Sequence, residues 1–481
     1  MFRGIALNKK RSSVIRSDLA VIATLTALAL GTRLYGLGQW PAIADELATI
    51  NFAADRYKSL VNPAYYALVL MSFKLLGVSE FAARLPAMLL AVLSVPLFFV
   101  TWRNIIGRNA ALVGALLITF SSWHLLYSQN SRFYSGVFLF GSLSYYLFYQ
   151  ALLRDDLGRL AGALLAALAG FLFHATVVMV PVACAAYSLL IVLTRGATQA
   201  GLSRRVAKTY LAICGLGALI ATGFLWQVWE DRASRGVAWG DWPGEMVLQI
   251  VRMTQVPIVV TAFFGLVVLL RRNTWLGLYF LVGTALPAAF VLMGSVFLNS
   301  RAVYLFYALP LFIALAGVLC EEVRRALAAR YRLASHVLTV LLLVTLSPEF
   351  VSYYTGKRSL DVRDAVAYID SERRPGDLVL ALTPQFAYYA RGKYPVTYFA
   401  GSAYSRVNWP EKMVAGIGSH ERVWVAVEKY RKPLPKGLEN WLTKNGMLVW
   451  RRFEERFDYT VRGYEIFLVD RTRDVALEKG S

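Results

Sequence analysis

The chain has 481 residues and a formal net charge of +21, yet only 17% of it is charged and 57% is hydrophobic. Soluble domains run nearer a quarter charged and disorder requires low hydrophobicity, so a soluble basic enzyme and a disordered basic chain are both excluded. Repeated apolar runs of membrane length exclude a nucleic-acid binder as well, and leave an α-helical polytopic membrane protein.

The first run, at 18–36, follows a basic tail that carries Arg3, Lys9, Lys10, Arg11 and Arg16. Ala27-Leu28-Ala29 resembles a signal-peptidase site, but the run continues to Gly36 and is read as an anchor rather than a cleaved leader. Further spans are predicted at 85–102, 110–122, 133–153, 159–173, 175–194, 209–229, 253–270, 275–298, 302–320 and 336–352. The basic tail and the joints at Arg103/Arg108, Arg154/Arg159, Arg195 to Lys208, Arg271/Arg272 and Arg324 to Arg332 hold 19 basic residues, against 9 in the joints between them. By the positive-inside rule the N-terminus is then cytoplasmic, segments 37–84, 123–132, 230–252 and 299–301 face outward, and eleven crossings leave the C-terminus outside. The run Ala64 to Gly77 would reach only ~21 Å as a helix, short of a ~30 Å hydrocarbon core. It is therefore read as an interfacial or re-entrant helix on the outer face. Cys184, Cys214 and Cys320 all lie in apolar runs, without spacing for a metal or a disulfide framework.

After Tyr353 the composition changes: residues 353–481 carry 22 basic and 16 acidic side chains and no run of membrane length. A helix over DVRDAVAYIDSE, a strand LVLAL, a strand RVWVAVE at 422–428, a helix near 437–445 and strands near 447–452 and 463–469 predict a small α/β domain outside the membrane. The expected organisation is thus a membrane domain over 1–352, with a first outer loop at 37–84, and an extracytoplasmic domain over 353–481.

The polar chemistry gathers on the outward joints. Asp45-Glu46 opens a helix-like run in the first outer loop, where acids at a helix N-terminus are stabilised by the dipole. Alternatively, one of these carboxylates is a base, or a ligand for a divalent metal ion, at the mouth of a lipid-lined cavity. The joint Trp123 to Tyr134 is dense in polar and aromatic groups, including Tyr127, Gln129, Arg132 and Tyr134, and singly these suit an interface belt. Arg84 and Arg301 stand at outer helix ends, and Tyr304 follows the latter. Carboxylate, guanidinium and aromatic groups together suit a phosphate-bearing lipid clamped by Arg beside a working carboxylate. His174, alone between two spans, reads as an interface residue. Arg33, near the outer end of the first span, reads as snorkelling. The loop Trp239-Gly240-Asp241-Trp242-Pro243 is an interfacial turn or a second acceptor contact at Asp241.

The order of these motifs resembles the GT-C-fold polytopic glycosyltransferases of the family 39 group, which includes bacterial aminoarabinose and galacturonic acid transferases of lipid A. It is similar, more distantly, to protein O-mannosyltransferases. The residues that carry the resemblance are DE at 45–46, NPAYY at 62–66, GVSEFAARLPAML at 77–89, YSQNSRFYS at 127–135 and SRAVYLFYALP at 300–310. The resemblance implies a GT-C membrane domain and an inverting transfer from a polyprenyl-phosphate sugar to a lipid, glycan or protein acceptor, on the outer side of the cell inner membrane. It implies that Asp45, with Glu46 beside it, is the catalytic carboxylate. Arg84, Arg132 and Arg301 match basic positions typical of the family, and Tyr65, Tyr66, Tyr127, Gln129, Tyr134 and Tyr304 complete the expected substrate site. Relatives often have Lys or His before a Pro-Pro pair where this chain has Asn62-Pro63-Ala64, and many have an acid in place of Asn130. A transporter of lipid-linked sugars, the rival from another class, should show paired pseudo-symmetric halves, and no repeat is visible.

Overall fold

A computed structural model describes residues 2–56, 62–234, 243–297, 300–328, 330–331, 336–355, 361–398, 417, 420–429, 436–455 and 461–471. The chain divides into two units. The first comprises Met1–Leu37, Ala53–Gly77 and Ala82–Phe350; the second comprises Gly38–Phe52, Val78–Phe81 and Val351–Ser481.

Helices run in the order α1 (Phe2–Leu34), α2 (Ala44–Arg56), α3 (Pro63–Leu76), α4 (Glu80–Ile106), α5 (Arg108–Phe120), α6 (Ser122–Ser128), α7 (Tyr134–Arg154) and α8 (Leu157–Phe173). A 3₁₀ turn at Ala175–Val178 leads into α9 (Met179–Leu193), α10 (Gly196–Gln199), α11 (Arg204–Ser234), α12 (Pro243–Thr254), α13 (Val256–Arg272) and α14 (Thr274–Phe297). A second 3₁₀ turn, Ala302–Ala308, precedes α15 (Leu309–Ala328) and α16 (Val337–Tyr354).

Among the described residues seven helices are long and apolar enough to cross a membrane, and nine spans result if each of two bent pairs counts as one. The predicted spans at 110–122 and 253–270 fall on those pairs: α5 with α6, bent by 59°, and α12 with α13, bent by 91°. The first break sits at Ser121, in extended geometry, whose hydroxyl caps α6 by accepting from the His124 backbone N–H. The second sits at Gln255, held at φ 72°, ahead of Pro257 in the first turn of α13. Glu349 of α16 ties the two breaks together, because its Oε2 accepts from Ser122 Oγ (2.7 Å) and from Gln255 Nε2 (2.8 Å). α3 is a shorter apolar helix, as the length of its run predicts; α8, on which the predicted span at 159–173 falls, is a shorter apolar helix too, so the described residues hold fewer spans of full length than the eleven crossings expected.

Two glycines set the tightest helix contacts. A Cβ at Gly265 would stand 2.0 Å from the Leu315 carbonyl oxygen, and one at Gly317 would stand 2.3 Å from that of Ala110. Only glycine lets α13 approach α15, and α15 approach α5, this closely, the small-residue packing expected between helices in lipid.

The second unit holds a five-stranded sheet of order β2-β1-β3-β5-β4, built from β1 (Leu378–Ala381), β2 (Thr397–Tyr398), β3 (Arg422–Lys429), β4 (Met447–Glu455) and β5 (Val461–Asp470). β1 pairs in parallel with β2 and β3, and β5 pairs antiparallel with β3 and β4. Side chains alternate between faces: Val379, Trp424 and Ile466 join one core with α17 (Val362–Glu372), while Leu380, Val423 and Val425 join another with α19 (Lys436–Asn445). Burial on both faces accounts for the nearly unbroken apolar run of RVWVAVE. The predicted elements stand at their places. The structure adds α18 (Pro384–Ala390) and β2, too short to show a period in sequence.

Candidate active site

In the first unit the end of α1 is gripped from three sides. Arg33 is fully buried: its Nη1 donates to the Thr119 carbonyl (2.7 Å) and its Nη2 to that of Ile118 (2.8 Å). These carbonyls end α5 at the Ser121 break and lack helical acceptors' usual partners there, so the guanidinium stands in for the missing turn. Nη2 also lies 3.0 Å from His124 Nδ1. A guanidinium offers no acceptor, so Nδ1 accepts and the ring proton sits on Nε2, which donates to Ser94 Oγ (3.1 Å). The Ser94 hydroxyl in turn donates to the Ala91 carbonyl (2.7 Å). Arg33 therefore does not snorkel, contrary to the reading from its position near a helix end. Its side chain points into the bundle, where a carbonyl pair needs donors.

Gln129 and Arg84 hold the segment that follows. Gln129 Nε2 donates to the carbonyls of Arg33 (2.6 Å) and Tyr35 (2.9 Å), and Arg84 Nη1 donates to that of Leu37 (3.0 Å). Both residues, expected at the substrate, thus also fix the backbone that leads toward Asp45.

The aromatic residues of the site converge in this unit. Tyr127 meets Tyr134 edge-on at 4.6 Å and Phe306 at 5.3 Å. His174 lies between Phe133 (4.3 Å, 12° between planes) and Tyr304 (5.7 Å, 29°), so three rings stack in a column. Its Nδ1 accepts from the Thr176 backbone N–H (3.3 Å), which fixes the ring. The Arg132 guanidinium sits over Phe133, 4.6 Å from the ring centre. Tyr65 and Tyr66 are fully buried on α3, and the Tyr65 hydroxyl donates to Ser131 Oγ (3.3 Å). Asn62, in left-handed geometry at φ 56°, turns the chain so that Pro63 can open α3. Arg301 is exposed, and its carbonyl accepts from the Tyr304 backbone N–H (2.9 Å) at the start of the second 3₁₀ turn. His174, read from sequence as a lone interface residue, belongs to this column. No local pattern in the sequence signals that.

In the second unit the Asp-Glu pair separates. Asp45 is exposed in the first turn of α2. Glu46 is buried, and its Oε2 accepts from the Ile43 backbone N–H (3.1 Å), the return half of a capping box. The loop Trp239 to Trp242 lies outside the described residues. Among the described residues no three His, Cys, Asp or Glu side chains gather to hold a metal ion.

The family model for dolichyl-phosphate-mannose-protein mannosyltransferases matches residues 61–229. The structure of ArnT from Cupriavidus metallidurans bound to undecaprenyl phosphate is similar with a TM-score of 0.56, at 11% identity, over 94% of this chain and 98% of that one. Its apo state gives 0.53, at 11% identity, over 96% and 99%. The Archaeoglobus fulgidus oligosaccharyltransferase, in complex with Zn and sulfate, gives 0.52, at 13% identity, over 84% and 67%. No curated protein matches by sequence. The chain has the GT-C fold that these membrane glycosyltransferase structures share.

The chain therefore has the polytopic helical architecture with a small α/β unit that its motifs led one to expect. Its membrane unit brings together Tyr65, Tyr127, Arg132, Tyr134 and Tyr304 with Phe133 and His174, while Asp45 and Glu46 belong to the second unit.

Proposed function

We propose that this protein is a glycosyltransferase and that it moves a sugar from a polyprenyl phosphate to a lipid, glycan or protein acceptor on the outer side of the inner membrane, with inversion at the anomeric carbon. The observation that supports the donor best is the likeness, over 94% of the chain, to an ArnT structure bound to undecaprenyl phosphate. The chemistry suits the residues. A sugar phosphate ester leaves as an anion, and Arg132 and Arg301 are the guanidinium groups that would neutralise the charge developing on it. Asp45 would take the proton of the acceptor hydroxyl or amine as it attacks the anomeric carbon, a contribution of typically 10²–10⁴-fold. The aromatic column would give the sugar an apolar face to lie against, and the polyprenyl chain would lie among the spans. A protein acceptor is the second reading, favoured by the mannosyltransferase family match over residues 61–229.

The test is turnover by the purified protein in lipid nanodiscs, with a panel of polyprenyl-phosphate sugars and acceptor fractions, read by mass spectrometry of the products. Release of free polyprenyl phosphate with glycosylated product supports the reading; no turnover of any polyprenyl-phosphate donor, with active ArnT as the control, sinks it. Repeating the reaction after chelation shows whether a divalent ion takes part. In the same assay Arg132→Ala and Arg301→Ala should each raise the donor KM, by a loss of roughly 2–5 kcal/mol if the contact is desolvated. Arg→Lys should restore only part of it, since Lys has no planar fork. Normal donor use by both folded alanine variants would make these arginines lipid anchors.

The orientation has its own test. Single cysteines at 75 and 370, both exposed, should be labelled by an impermeant thiol reagent from outside intact cells, and one at exposed position 200 only after lysis. Labelling of 200 from outside would reverse the orientation.

A further inference from the structure

The geometry points to a task in catalysis for the sheet-bearing unit: Tyr389 and Arg363 are positioning residues that hold the segment carrying Asp45. This rests on the reading of Asp45 as the base. Every group involved lies in the second unit.

Asp45 stands on α2, and the segment leading to it, residues 38–43, has no regular structure of its own until Ile43. Its backbone is held from outside. The Ala42 backbone N–H donates to the Tyr389 hydroxyl at 2.6 Å, and that hydroxyl donates in turn to Glu80 Oε1 at 2.8 Å. Ala42 is buried, so its N–H needs a protein acceptor, and a hydroxyl 347 residues away supplies it. The next N–H, that of Ile43, goes to Glu46 as described, after which the Ile43 carbonyl accepts from the N–H groups of Glu46 and Leu47 (2.9 Å each) and the helix has begun. Upstream, Arg363 Nη2 donates to the Gln39 carbonyl (3.1 Å). Arg363 is itself steadied by Asp361, whose carboxylate meets its Nε at 2.8 Å and its Nη2 at 2.5 Å. At Gly38 an added Cβ would stand only 3.0 Å from Phe81 Cβ, so the segment lies close against that residue too.

The Tyr389 hydroxyl accepts at one side and donates at the other. It thereby ties the approach to α2 to Glu80, which lies in the same unit. A general base that must reach the acceptor proton within hydrogen-bond range loses rate when its backbone wanders by an ångström. A brace three residues upstream of Asp45 should therefore act on turnover while leaving donor affinity alone.

The experiment is Tyr389→Phe, which keeps the ring and deletes both hydrogen bonds, read two ways on the full-length protein in nanodiscs. Hydrogen–deuterium exchange should rise over residues 39–47 and stay unchanged over β3 and β5. Kinetics with polyprenyl-phosphate sugar should show kcat lower by about tenfold, with donor KM within about twofold. Unchanged exchange over 39–47 overturns the brace itself, whatever the activity. Faster exchange with unchanged kcat overturns the positioning role. If Asp45→Asn is then also fully active, the failure lies in the assignment of the base rather than in the brace. Should Tyr389→Phe not accumulate as folded protein, Arg363→Gln removes the hold on Gln39 and is read by the same two measurements. The expected signs are the same, and unchanged exchange over 39–47 or unchanged kcat overturns the proposal equally.

Discussion

Asp45→Asn should lower sugar transfer by roughly 10²-fold or more, since the amide keeps the shape and hydrogen-bonding capacity of the side chain but cannot take a proton. The loss should fall on kcat, because in the proposed mechanism Arg132 and Arg301, and not Asp45, meet the donor phosphate. Expression and thermal stability should stay near those of the parent, since Asp45 is exposed at a helix start, where the carboxylate contributes only a few tenths of a kcal/mol to about 1 kcal/mol through the dipole. Glu46→Gln provides the contrast. Its carboxylate is buried and caps the Ile43 N–H, and the Gln side chain retains an oxygen for that bond. Transfer by Glu46→Gln should therefore exceed that by Asp45→Asn. The check is single-turnover conversion of a purified polyprenyl-phosphate sugar with a membrane acceptor fraction. Full activity in Asp45→Asn would remove the base and return the pair to helix-terminus charges.

The largest effect on stability should come from Arg33→Met. The substitution fills much of the volume but removes donors from the Ile118 and Thr119 carbonyls and from His124, all at the α5–α6 break inside the bundle. Stripping one side of a buried charge-assisted network typically costs roughly 3–5 kcal/mol, because the groups left behind stay desolvated and unpaired. The variant should show a sharply lower unfolding midpoint in detergent and a poor monodisperse yield. Arg33→Lys should recover little, since one compact ammonium cannot reach two carbonyls and an imidazole at once. A midpoint equal to the parent's in Arg33→Met would mean that the break is held by packing alone.

Arg33 also shows how far the sequence reaches. Hydropathy locates a residue along a span but says nothing of which way a side chain faces when the span is apolar on every side, so a basic residue near a helix end reads as a snorkelling one. What turned it inward is a pair of carbonyls 85 and 86 residues away, exposed by a break at Ser121. That break was not legible either. Apolar residues run through 110–122 without Pro or Gly at the bend, and a run of suitable length reads as one straight span. The bend at Gln255 does carry a mark, Pro257 in the turn that follows, but the span predicted over 253–270 ran across it. Glu349, whose carboxylate joins the two breaks, gives no local signal at all, because both donors come from other helices.

Composition and periodicity by themselves determined the apolar spans, the change of character after Tyr353, and the helix and strands of the α/β unit, because these depend on burial along a single element. The order of the five motifs carried the GT-C fold, and with it the expectation that the Asp-Glu pair, the arginines and the tyrosines form the site. Only the tertiary structure decided which of the two acids is exposed, that Gln129 and Arg84 grip the backbone after α1, that His174 lies in a column with Phe133 and Tyr304, and that Tyr389 holds the approach to Asp45. Each of these is a bond or a ring contact between residues tens to hundreds of positions apart. Such contacts arise because a buried N–H, carbonyl or ring must find a partner wherever the fold brings one near, and sequence separation does not enter that requirement.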